Sequence, residues 1–424
     1  MKIHFIGIGG IGISALAQFC HNRGDEVSGS NLGQNEVFPI LKKSGITNLY
    51  DFHNEKNIPE DCDLVVYTEA ILLNKDNSET NCELKIAKEK NIPLKSYFEL
   101  LGDISHDFRT IAIAGTHGKT TTTGLLATGL LNAGFDATFF VGSTLKEFNN
   151  SNFHAGTNEF LIVEACEYRE NFKFLQPEIV VLTNVEFDHA DAFQDEEHYL
   201  QAFKNICAKA KTVIYHEDDK NSELVATSAP SQLPVTTIQD LNLQIPGQHN
   251  RENATLAVEV AKLLNVDSDR FQTGLENFSG AGRRQEFLSE IHGVKVFDDY
   301  GHHPTEIKAT IAAFREKYPK AKINLIYEPH QFSRTKMFFP EFCEALKTAD
   351  NVGLFPIYEA RDSKEDKKFK LDNFFPHLSN AKKIETTEDV TNFLENLNKD
   401  NENILIFMGA GNISTFAHKF LNNK

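Results

Sequence analysis

Residues 115–120, GTHGKT, combine two glycines, a lysine and a threonine in a spacing that can bind phosphate groups. In such a loop the backbone N–H groups and a helix N-terminus hold the phosphates, Lys119 reaches the outer phosphate oxygens, and the Thr120 hydroxyl faces Mg²⁺. A full Walker A motif would have a further glycine where Ile113 stands, so the loop is a shorter variant of the P-loop. It predicts binding of a nucleoside triphosphate, with a purely structural turn as the alternative.

Acidic side chains and a histidine follow two predicted strands, at 161–165 and 178–184. Glu164 ends the first strand, and the second is followed by Asp188, His189 and Asp191. Because ligands of open α/β sheets collect at the carboxyl ends of strands, we expect these side chains near the P-loop. Carboxylates bind Mg²⁺, and a neutral histidine nitrogen can join the shell of a second ion. The pattern predicts a magnesium site, although each residue alone would also suit an ordinary solvated loop.

A second glycine-rich loop, GIGGIG at residues 7–12, follows a predicted strand and begins a helix that we expect to extend to about residue 22. Backbone N–H groups in this context can hold a pyrophosphate. A nicotinamide site would also need an acidic residue about 20 positions further on, and Asn31 stands there instead. The loop therefore favours a diphosphate-bearing ligand over a nicotinamide cofactor or a tight turn without a ligand.

Two polar motifs follow in the second half of the chain. Residues 246–254 contain His249 and Asn253, and would equally suit a turn followed by an asparagine helix cap. Arg283 and Arg284 could clamp a transferring phosphoryl group or make surface ion pairs.

The stretch DDYGHHP at residues 298–304 ends a predicted strand and begins a helix at Pro304. Its two histidines could suggest zinc. Adjacent histidines rarely face one ion, and no cysteine or further histidine is suitably spaced, so we do not expect a zinc site.

Three α/β domains must position these motifs. Short apolar runs alternate with helical patterns along all 424 residues, which is typical of parallel sheets covered by crossover helices. We predict a Rossmann-like domain at 1–105, a central P-loop ATPase-like domain with a parallel sheet at 106–282, and a second Rossmann-like domain at 283–424.

The charge and composition of the chain limit the classes of partner that we expect. The net charge of −17 argues against nucleic acid or an anionic membrane as the main partner. No window approaches the roughly 18 apolar residues of a membrane span, and the start of the chain shows no signal-peptide cleavage site. The six cysteines lie far apart without a C-x-x-C pair, which predicts reduced thiols. We therefore expect a cytoplasmic protein with small-molecule partners.

Together these motifs resemble those of the Mur ligase family, the ATP-dependent amide-bond ligases of peptidoglycan precursor synthesis. The resemblance extends through all three domains and rests on GIGGIG, SGS-N, GTHGKTTTT, EACE, TN-x3-DH-x-D, PG-x-HN-x2-N, RR-x-E, DDYGHHPTEI, PHQFSRTK and MGAGNI. It implies an enzyme that uses ATP and Mg²⁺ to join L-alanine to the muramoyl carboxylate of UDP-N-acetylmuramate through an acyl phosphate. It also implies a monomer or weak homodimer, with the UDP-sugar bound by the first domain, ATP by the second, and the amino acid and part of the nucleotide by the third.

Other activities stay open. The ligases that attach a tripeptide to UDP-N-acetylmuramate during peptidoglycan recycling share EFDHAD with this chain, but they lack the doubled GIGGIG form and differ around PHQFSRT. An NAD-dependent dehydrogenase would explain the first glycine loop and leave the P-loop unused. A non-catalytic nucleotide-binding regulator would not need Arg284 or Asp299.

The resemblance also implies roles for individual residues. Lys119 would hold the β- and γ-phosphates, Thr120 and Glu164 the first Mg²⁺, and His189 the second. Arg284 would contact the γ-phosphate and complete a catalytic set with Lys119, Glu164 and His189. The other residues of the ATP site would be Gly115, Thr116, His117, Gly118, Thr121, His249, Asn253 and Asp299. The UDP-sugar would bind Gly9, Gly10, Ile11, Gly12, Asn31, His53 and Thr68, and the amino acid His302 and Arg334.

Some positions depart from the usual family pattern. Asn31 and Asn412 stand where aspartates are expected, Cys166 replaces the second acid of an EADE motif, and a Tyr-Arg pair at 168–169 replaces Ser-Asp. The first change bears on the uridine side of the site, and those at 166–169 bear on selectivity for the sugar and the amino acid.

Overall fold

The computed structural model describes residues 1–73, 81–189, 191–360, 362–397 and 401–422, which form three β-sheets. By their internal contacts the residues divide into two compact units. The first unit comprises Met1–Asp188, Ala192–Asn242 and Glu252–Phe278, and contains the first two sheets. The second unit comprises Leu243–Arg251 and Ser279–Lys424, together with His189 and Asp191, and contains the third sheet.

The first sheet has five parallel strands in the order β3-β2-β1-β4-β5. Its strands are β1 (Lys2–Ile6), β2 (Glu26–Ser30), β3 (Asn48–Tyr50), β4 (Leu64–Tyr67) and β5 (Leu94–Ser96). The helices of this region are α1 (Ile11–Asn22), α2 (Val37–Lys43), α3 (Ala70–Leu73), α4 (Cys82–Glu89) and α5 (Tyr97–Ser105). Helix α5 begins with a capping box, in which Ser96 and Glu99 satisfy each other's backbone N–H groups.

The second sheet has seven strands in the order β12-β11-β10-β6-β9-β7-β8. Its strands are β6 (Arg109–Ala114), β7 (Thr138–Leu145), β8 (Ser151–His154), β9 (Phe160–Glu164), β10 (Pro177–Leu182), β11 (Thr212–His216) and β12 (Ser231–Val235). The helices are α6 (Lys119–Asn132), α7 (Glu196–Cys207), α8 (Lys220–Ala226), α9 (Gln248–Leu263) and α10 (Ser268–Asn277). All pairs are parallel except β7 with β8, an antiparallel hairpin that the prediction of a parallel sheet did not include.

The first two sheets share one hydrophobic core. The ring of Phe19 on α1 makes edge-on contacts with Phe108, Phe140 and Phe153, at centroid distances of 6.1, 5.7 and 6.2 Å. Such aromatic pairs add to the stabilisation that burial alone provides. Helix α1, which begins at the glycine loop, is therefore held directly against the second sheet.

The third sheet has six strands in the order β13-β14-β18-β15-β16-β17, and only β13 with β14 is antiparallel. Its strands are β13 (Glu286–Ile291), β14 (Val294–Asp299), β15 (Lys322–Tyr327), β16 (Asn351–Leu354), β17 (Ala381–Lys383) and β18 (Asn403–Met408). The helices are α11 (Pro304–Lys317), α12 (Phe332–Met337), α13 (Phe339–Leu346), α14 (Thr387–Glu395) and α15 (Ile413–Asn422). Alternate residues of β15 enter two separate core clusters, as in a sheet covered on both faces.

Strand β10 ends two residues earlier than the predicted strand at 178–184. The reason is that Thr183 and Asn184 direct their side chains to the backbone of His117. Among the described residues, no helix combines the length and the hydropathy required to cross a bilayer.

Candidate active site

The P-loop connects β6 to α6, and its glycines are required by the local geometry. Gly115 and Gly118 have φ angles of +134° and +86°, which L side chains rarely adopt. A Cβ at Gly115 would stand 2.1 Å from Thr183 Oγ1, and one at Gly118 would stand 2.4 Å from Asn253 Oδ1. Gly118 is also the N-cap of α6 and offers no side-chain cap, so the first N–H groups of this helix are available to an anion.

Side chains of residues that follow β10 form hydrogen bonds with the backbone of the P-loop. The backbone N–H of His117 donates to Asn184 Oδ1 at 3.0 Å, while Asn184 Nδ2 and Thr183 Oγ1 donate to the His117 carbonyl at 3.0 and 2.5 Å. Thr116 Oγ1 lies 2.9 Å from the Tyr199 hydroxyl and donates to the Glu186 carbonyl at 2.7 Å. These bonds fix the backbone of the loop in one conformation.

The Lys119 ammonium is paired with Glu167, a residue to which the sequence analysis gave no role. Its Nζ lies 2.8 Å from Glu167 Oε2 and also donates to the carbonyls of Gly115 and Thr116, at 2.5 and 3.1 Å. Burial alone would lower the pKa of this lysine, but the nearby carboxylates, Glu167 foremost, outweigh it and the pKa is raised. Lys119 is therefore charged at neutral pH and lies at the base of the loop.

The predicted magnesium ligands Thr120 and Glu164 lie side by side. Thr120 Oγ1 donates to Glu164 Oε2 at 2.9 Å, and the backbone N–H of Gly142 donates to Glu164 Oε1 at 2.5 Å. A Cβ at Gly142 would stand 2.6 Å from Glu164 Oε2, so a glycine keeps this carboxylate accessible. A hydroxyl and a carboxylate are hard oxygen donors, which fits Mg²⁺.

The remaining residues of the predicted magnesium cluster divide between the units. Asp188 is 3% exposed and belongs to the first unit, where its charge acts on the buried Tyr199 phenol. His189 and Asp191 belong to the second unit, and His189 has a left-handed φ of +58°. The predicted metal role of His189 stays a prediction.

Asn253 lies at the P-loop within the first unit. The Thr122 hydroxyl donates to its Oδ1 at 3.1 Å, and the side chain is 5% exposed against Gly118. The structure thus joins this α9 residue to the P-loop helix, and its predicted role in the ATP site stays a prediction. Thr121, the next residue of the predicted ATP site, is buried in the first turn of α6.

The N-terminal glycine loop has the predicted strand-turn-helix form. Gly7 has a φ of +81°, and a Cβ there would stand 2.3 Å from Thr68 Cγ2. A Cβ at Gly9 would stand 2.7 Å from Asn31 Cγ, and the Gly9 carbonyl accepts a hydrogen bond from Asn35 Nδ2. The loop therefore brings together the predicted UDP-sugar residues at 9–12, 31 and 68.

The predicted UDP-sugar residue His53 contacts a buried polar network around Glu83. The Glu83 carboxylate is 0% exposed and accepts from Ser30 Oγ at 2.5 Å and from Asn57 Nδ2 at 2.7 Å, and it lies 3.3 Å from His53 Nδ1. Burial would raise the pKa of this carboxyl, but hydrogen bonds from His4, His53 and Ser30 outweigh it and lower the pKa. One nitrogen of His53 is thus committed to the fold, and its sugar contact stays a prediction.

In the second unit, Arg283 and Arg284 both stand over the Tyr300 ring, each 4.8 Å from its centroid. Arg284 also lies 3.9 Å from Glu306, whereas Arg283 donates to the Gly409 carbonyl at 2.7 Å. The two arginines are therefore not equivalent, because Arg283 is bound into the sheet.

Asp299 and His249 have shifted pKa values in the same unit. Burial raises the pKa of Asp299 to about 6, although its oxygens accept from the N–H groups of Gly301 and Gln285 at 2.8 and 3.0 Å. Burial lowers the pKa of His249 to about 4, so its imidazole is neutral at pH 7 and lies 3.3 Å from Gln285 Nε2.

The two residues predicted to bind the amino acid both contact a third residue, His330. The rings of His302 and His330 are 5.9 Å apart, and Arg334 Nη1 lies 3.4 Å from His330 Nδ1. The Tyr358 ring stacks on the His330 ring at a centroid distance of 5.2 Å and an angle of 11°. His330 lies within the PHQFSRTK motif, and no role was predicted for it.

Family models place the chain among known proteins. Residues 2–109 match the model described as "Mur ligase family, catalytic domain", residues 113–240 "Mur ligase middle domain", and residues 283–411 "Mur ligase, glutamate ligase domain". The chain belongs to the Mur ligase family, as the resemblance predicted.

Individual relatives match this chain over nearly its full length. A UDP-N-acetylmuramate–L-alanine ligase of Agathobacter rectalis is 36% identical over 458 residues, covering 99% of this chain and 98% of the relative. A ligase of the same name from Clostridium botulinum (strain Alaska E43 / Type E3) is 36% identical over 459 residues, covering 99% of this chain and 97% of the relative. The crystal structure of the UDP-N-acetylmuramate-alanine ligase MurC of Thermotoga maritima superposes with a TM-score of 0.82 at 26% identity, covering 100% and 99%. A murein peptide ligase of Psychrobacter arcticus shares the fold, with a TM-score of 0.74 at 22% identity and coverage of 100% and 98%.

Proposed function

We propose that this chain is the ATP-dependent ligase that joins L-alanine to the muramoyl carboxylate of UDP-N-acetylmuramate in peptidoglycan synthesis. The observation that carries the proposal is the charged Lys119 at the start of α6, together with the Thr120–Glu164 pair. The N-terminus of this helix has no side-chain cap. This phosphate site lies in a chain whose full-length relatives carry the name of that ligase.

The proposed chemistry has two steps. An oxygen of the muramoyl carboxylate attacks the γ-phosphorus of ATP, the bond to the bridging oxygen breaks, and ADP leaves. The amine of L-alanine then attacks the acyl carbon of the acyl phosphate, the C–O bond breaks, inorganic phosphate leaves and the nitrogen loses a proton. Phosphorylation converts a poor leaving group into a stabilised one, so no side-chain nucleophile is required.

The chain's own residues would offset negative charge in the first step. Lys119 and the N–H groups of α6 would hold the phosphates, and Arg284 would contact the γ-phosphate. Thr120 and Glu164 would hold one Mg²⁺ and His189 a second, and bound Mg²⁺ would supply further positive charge to the phosphate oxygens. His249, Asn253 and Asp299 would contact the rest of the nucleotide.

The other binding roles are proposed in the same way. The loop at residues 9–12 would bind the UDP-sugar with Asn31, His53 and Thr68, and His302 and Arg334 would bind the L-alanine carboxylate. We propose domain boundaries at 105/106 and 282/283, a cytoplasmic location, and a monomer or weak homodimer.

The direct test is ADP release from ATP with UDP-N-acetylmuramate and one amine at a time. We expect release with L-alanine and less with glycine or L-serine. Release with the tripeptide alone would make the enzyme a ligase of peptidoglycan recycling. Continued release without any amine, beyond one ADP per enzyme, would contradict ligation, because the amine is needed to consume the acyl phosphate.

A further inference from the structure

A cavity of about 470 Å³ in the first unit is unrelated to the proposed substrate sites. It is lined by the last turn of α1, the end of α2 and the segment between β7 and β8, and by no residue of the glycine loop or the P-loop. Its volume is that of sites for small organic ligands. It lies at the C-terminal end of α1, whose 12 residues extend about 18 Å from the glycine loop.

Hydrogen bonds fix two polar residues of the cavity lining, Gln18 and Ser151. Gln18 Nε2 donates to Asn152 Oδ1 at 3.0 Å, and Ser151 Oγ donates to Gln18 Oε1 at 3.0 Å. Gln18 is 4% exposed and Asn152 fully buried. These paired amides fix the α1 side of the cavity against the β7–β8 hairpin, so the site is preformed.

Glu147 brings a carboxylate to this lining. Its Oε2 is buried and has no hydrogen-bond partner among the residues that the structure describes. A buried polar atom without a partner is unfavourable, and a ligand N–H group would remove that cost. An ammonium would do so best, because it also balances the charge.

Lys43 supplies the opposite charge. Its Nζ donates to the Asn149 carbonyl at 3.2 Å, and both residues line the cavity. Asn149 and Asn150 have left-handed φ angles of 56° and 61°, so the chain turns sharply where it presents this carbonyl. Lys43 can therefore offer its remaining N–H groups to an anionic group of a ligand.

The cavity also has an aromatic wall. The rings of Phe148 and His154 are stacked at 5.2 Å and 21°, and His154 Nε2 is fixed by Asp136 at 2.7 Å. Phe153 lies in the same lining. These rings would pack against an apolar or aromatic group.

We propose that this cavity binds a small zwitterion of the amino-acid or short-peptide class, with its ammonium on Glu147, its carboxylate at Lys43 and its side chain against Phe148. A phosphate-bearing ligand would suit Lys43, but it would be repelled by Glu147. The inference does not depend on the proposed function, because none of these residues belongs to the proposed catalytic or substrate sites.

The test is calorimetric titration of the full chain with L-phenylalanine, which combines the three groups. We expect saturable binding that is weakened at least tenfold by E147Q and by K43M, with melting temperatures that do not fall. The matched controls E60Q and K42M change exposed residues outside the cavity and should bind like the unchanged protein. Phenethylamine, which lacks the carboxylate, and 3-phenylpropanoate, which lacks the ammonium, should each bind at least tenfold more weakly.

Three results would overturn the proposal. One is no saturable binding of L-phenylalanine, and another is binding that either E147Q or K43M leaves unchanged, which would place the ligand elsewhere. The third is binding of inorganic phosphate that K43M abolishes and E147Q strengthens, which would make the cavity an anion site.

Discussion

Lys119 is the residue on which the proposed first step depends most. Replacing it with alanine removes a preorganised positive charge from the phosphates. We expect K119A to lose more than about 3 kcal/mol of transition-state stabilisation, measured as kcat/KM for ADP release. K211A removes an exposed lysine and is the control, because Lys211 lies 77% exposed beside Glu178. Near-normal turnover of K119A would refute its assignment.

Glu167 pairs with the Lys119 ammonium at 2.8 Å. Breaking a buried ion pair at one partner costs about 3 kcal/mol or more, so we expect E167Q to melt at a lower temperature than the unchanged protein. ATP phosphates would replace the missing carboxylate, and ATP with Mg²⁺ should therefore raise the melting temperature more in E167Q. The control is E159Q, at an exposed surface pair with Arg109. An equal or smaller increase in E167Q would contradict this account.

Asp299 predicts a pH dependence of stability. Its pKa of about 6 lies above the usual 3.8, so the folded chain holds a proton that the unfolded chain has released between those values. This contribution is complete below pH 4 and is lost as the pH rises through 6, by about 3 kcal/mol in all. We expect the melting temperature of D299N, relative to the unchanged protein, to rise between pH 4 and pH 7. A flat difference for D299N would contradict the raised pKa.

Single-residue partners were the least predictable part of the site. The P-loop spacing predicts where Lys119 lies, but a lysine side chain has several low-energy conformations, and only the folded chain brings Glu167 to it. Glu83 and His53 are 30 positions apart, and their buried contact depends on the packing of α4. The EACE motif ends in Glu167, so its final acidic residue was the available signal.

At the scale of elements, the P-loop connection tolerates very little change. G118A would force an alanine into φ +86° and bring its Cβ to 2.4 Å from Asn253 Oδ1. We expect at least tenfold weaker ATP binding, measured by calorimetry. The matched control is G134A, where φ is +78° and nothing lies within 4 Å of the added Cβ. That variant should lose roughly 1 kcal/mol of stability from backbone strain alone and should bind ATP normally. Equal loss of ATP binding in both would contradict a local role for Gly118.

The bounds of elements with strong local sequence signals were predicted closely. Helix α1 extends from Ile11 to Asn22, as predicted from the glycine loop. The end of β10 was wrong by two residues, because tertiary hydrogen bonds to His117 outweigh the β propensity of Thr183. The hairpin β7–β8 was missed, since its connection has left-handed asparagines rather than a glycine turn.

At the scale of the molecule, three sheets follow from the alternation of apolar runs and helical patterns. The order of the strands could not be predicted in the same way, because periodicity does not identify the neighbours of a strand. The alternatives of a dehydrogenase and a regulator lose their basis with membership of a ligase family, matched in three consecutive segments.

The proposed mechanism requires that the muramoyl carboxylate is activated by phosphorylation. UDP-N-acetylmuramate labelled with ¹⁸O at both oxygens of that carboxylate, together with ATP and L-alanine, tests this step. In the proposed steps the attacking carboxylate oxygen leaves with phosphate, so we expect one ¹⁸O in each inorganic phosphate released, with ADP as the other product. Unlabelled phosphate, or release of AMP and pyrophosphate, would contradict the account.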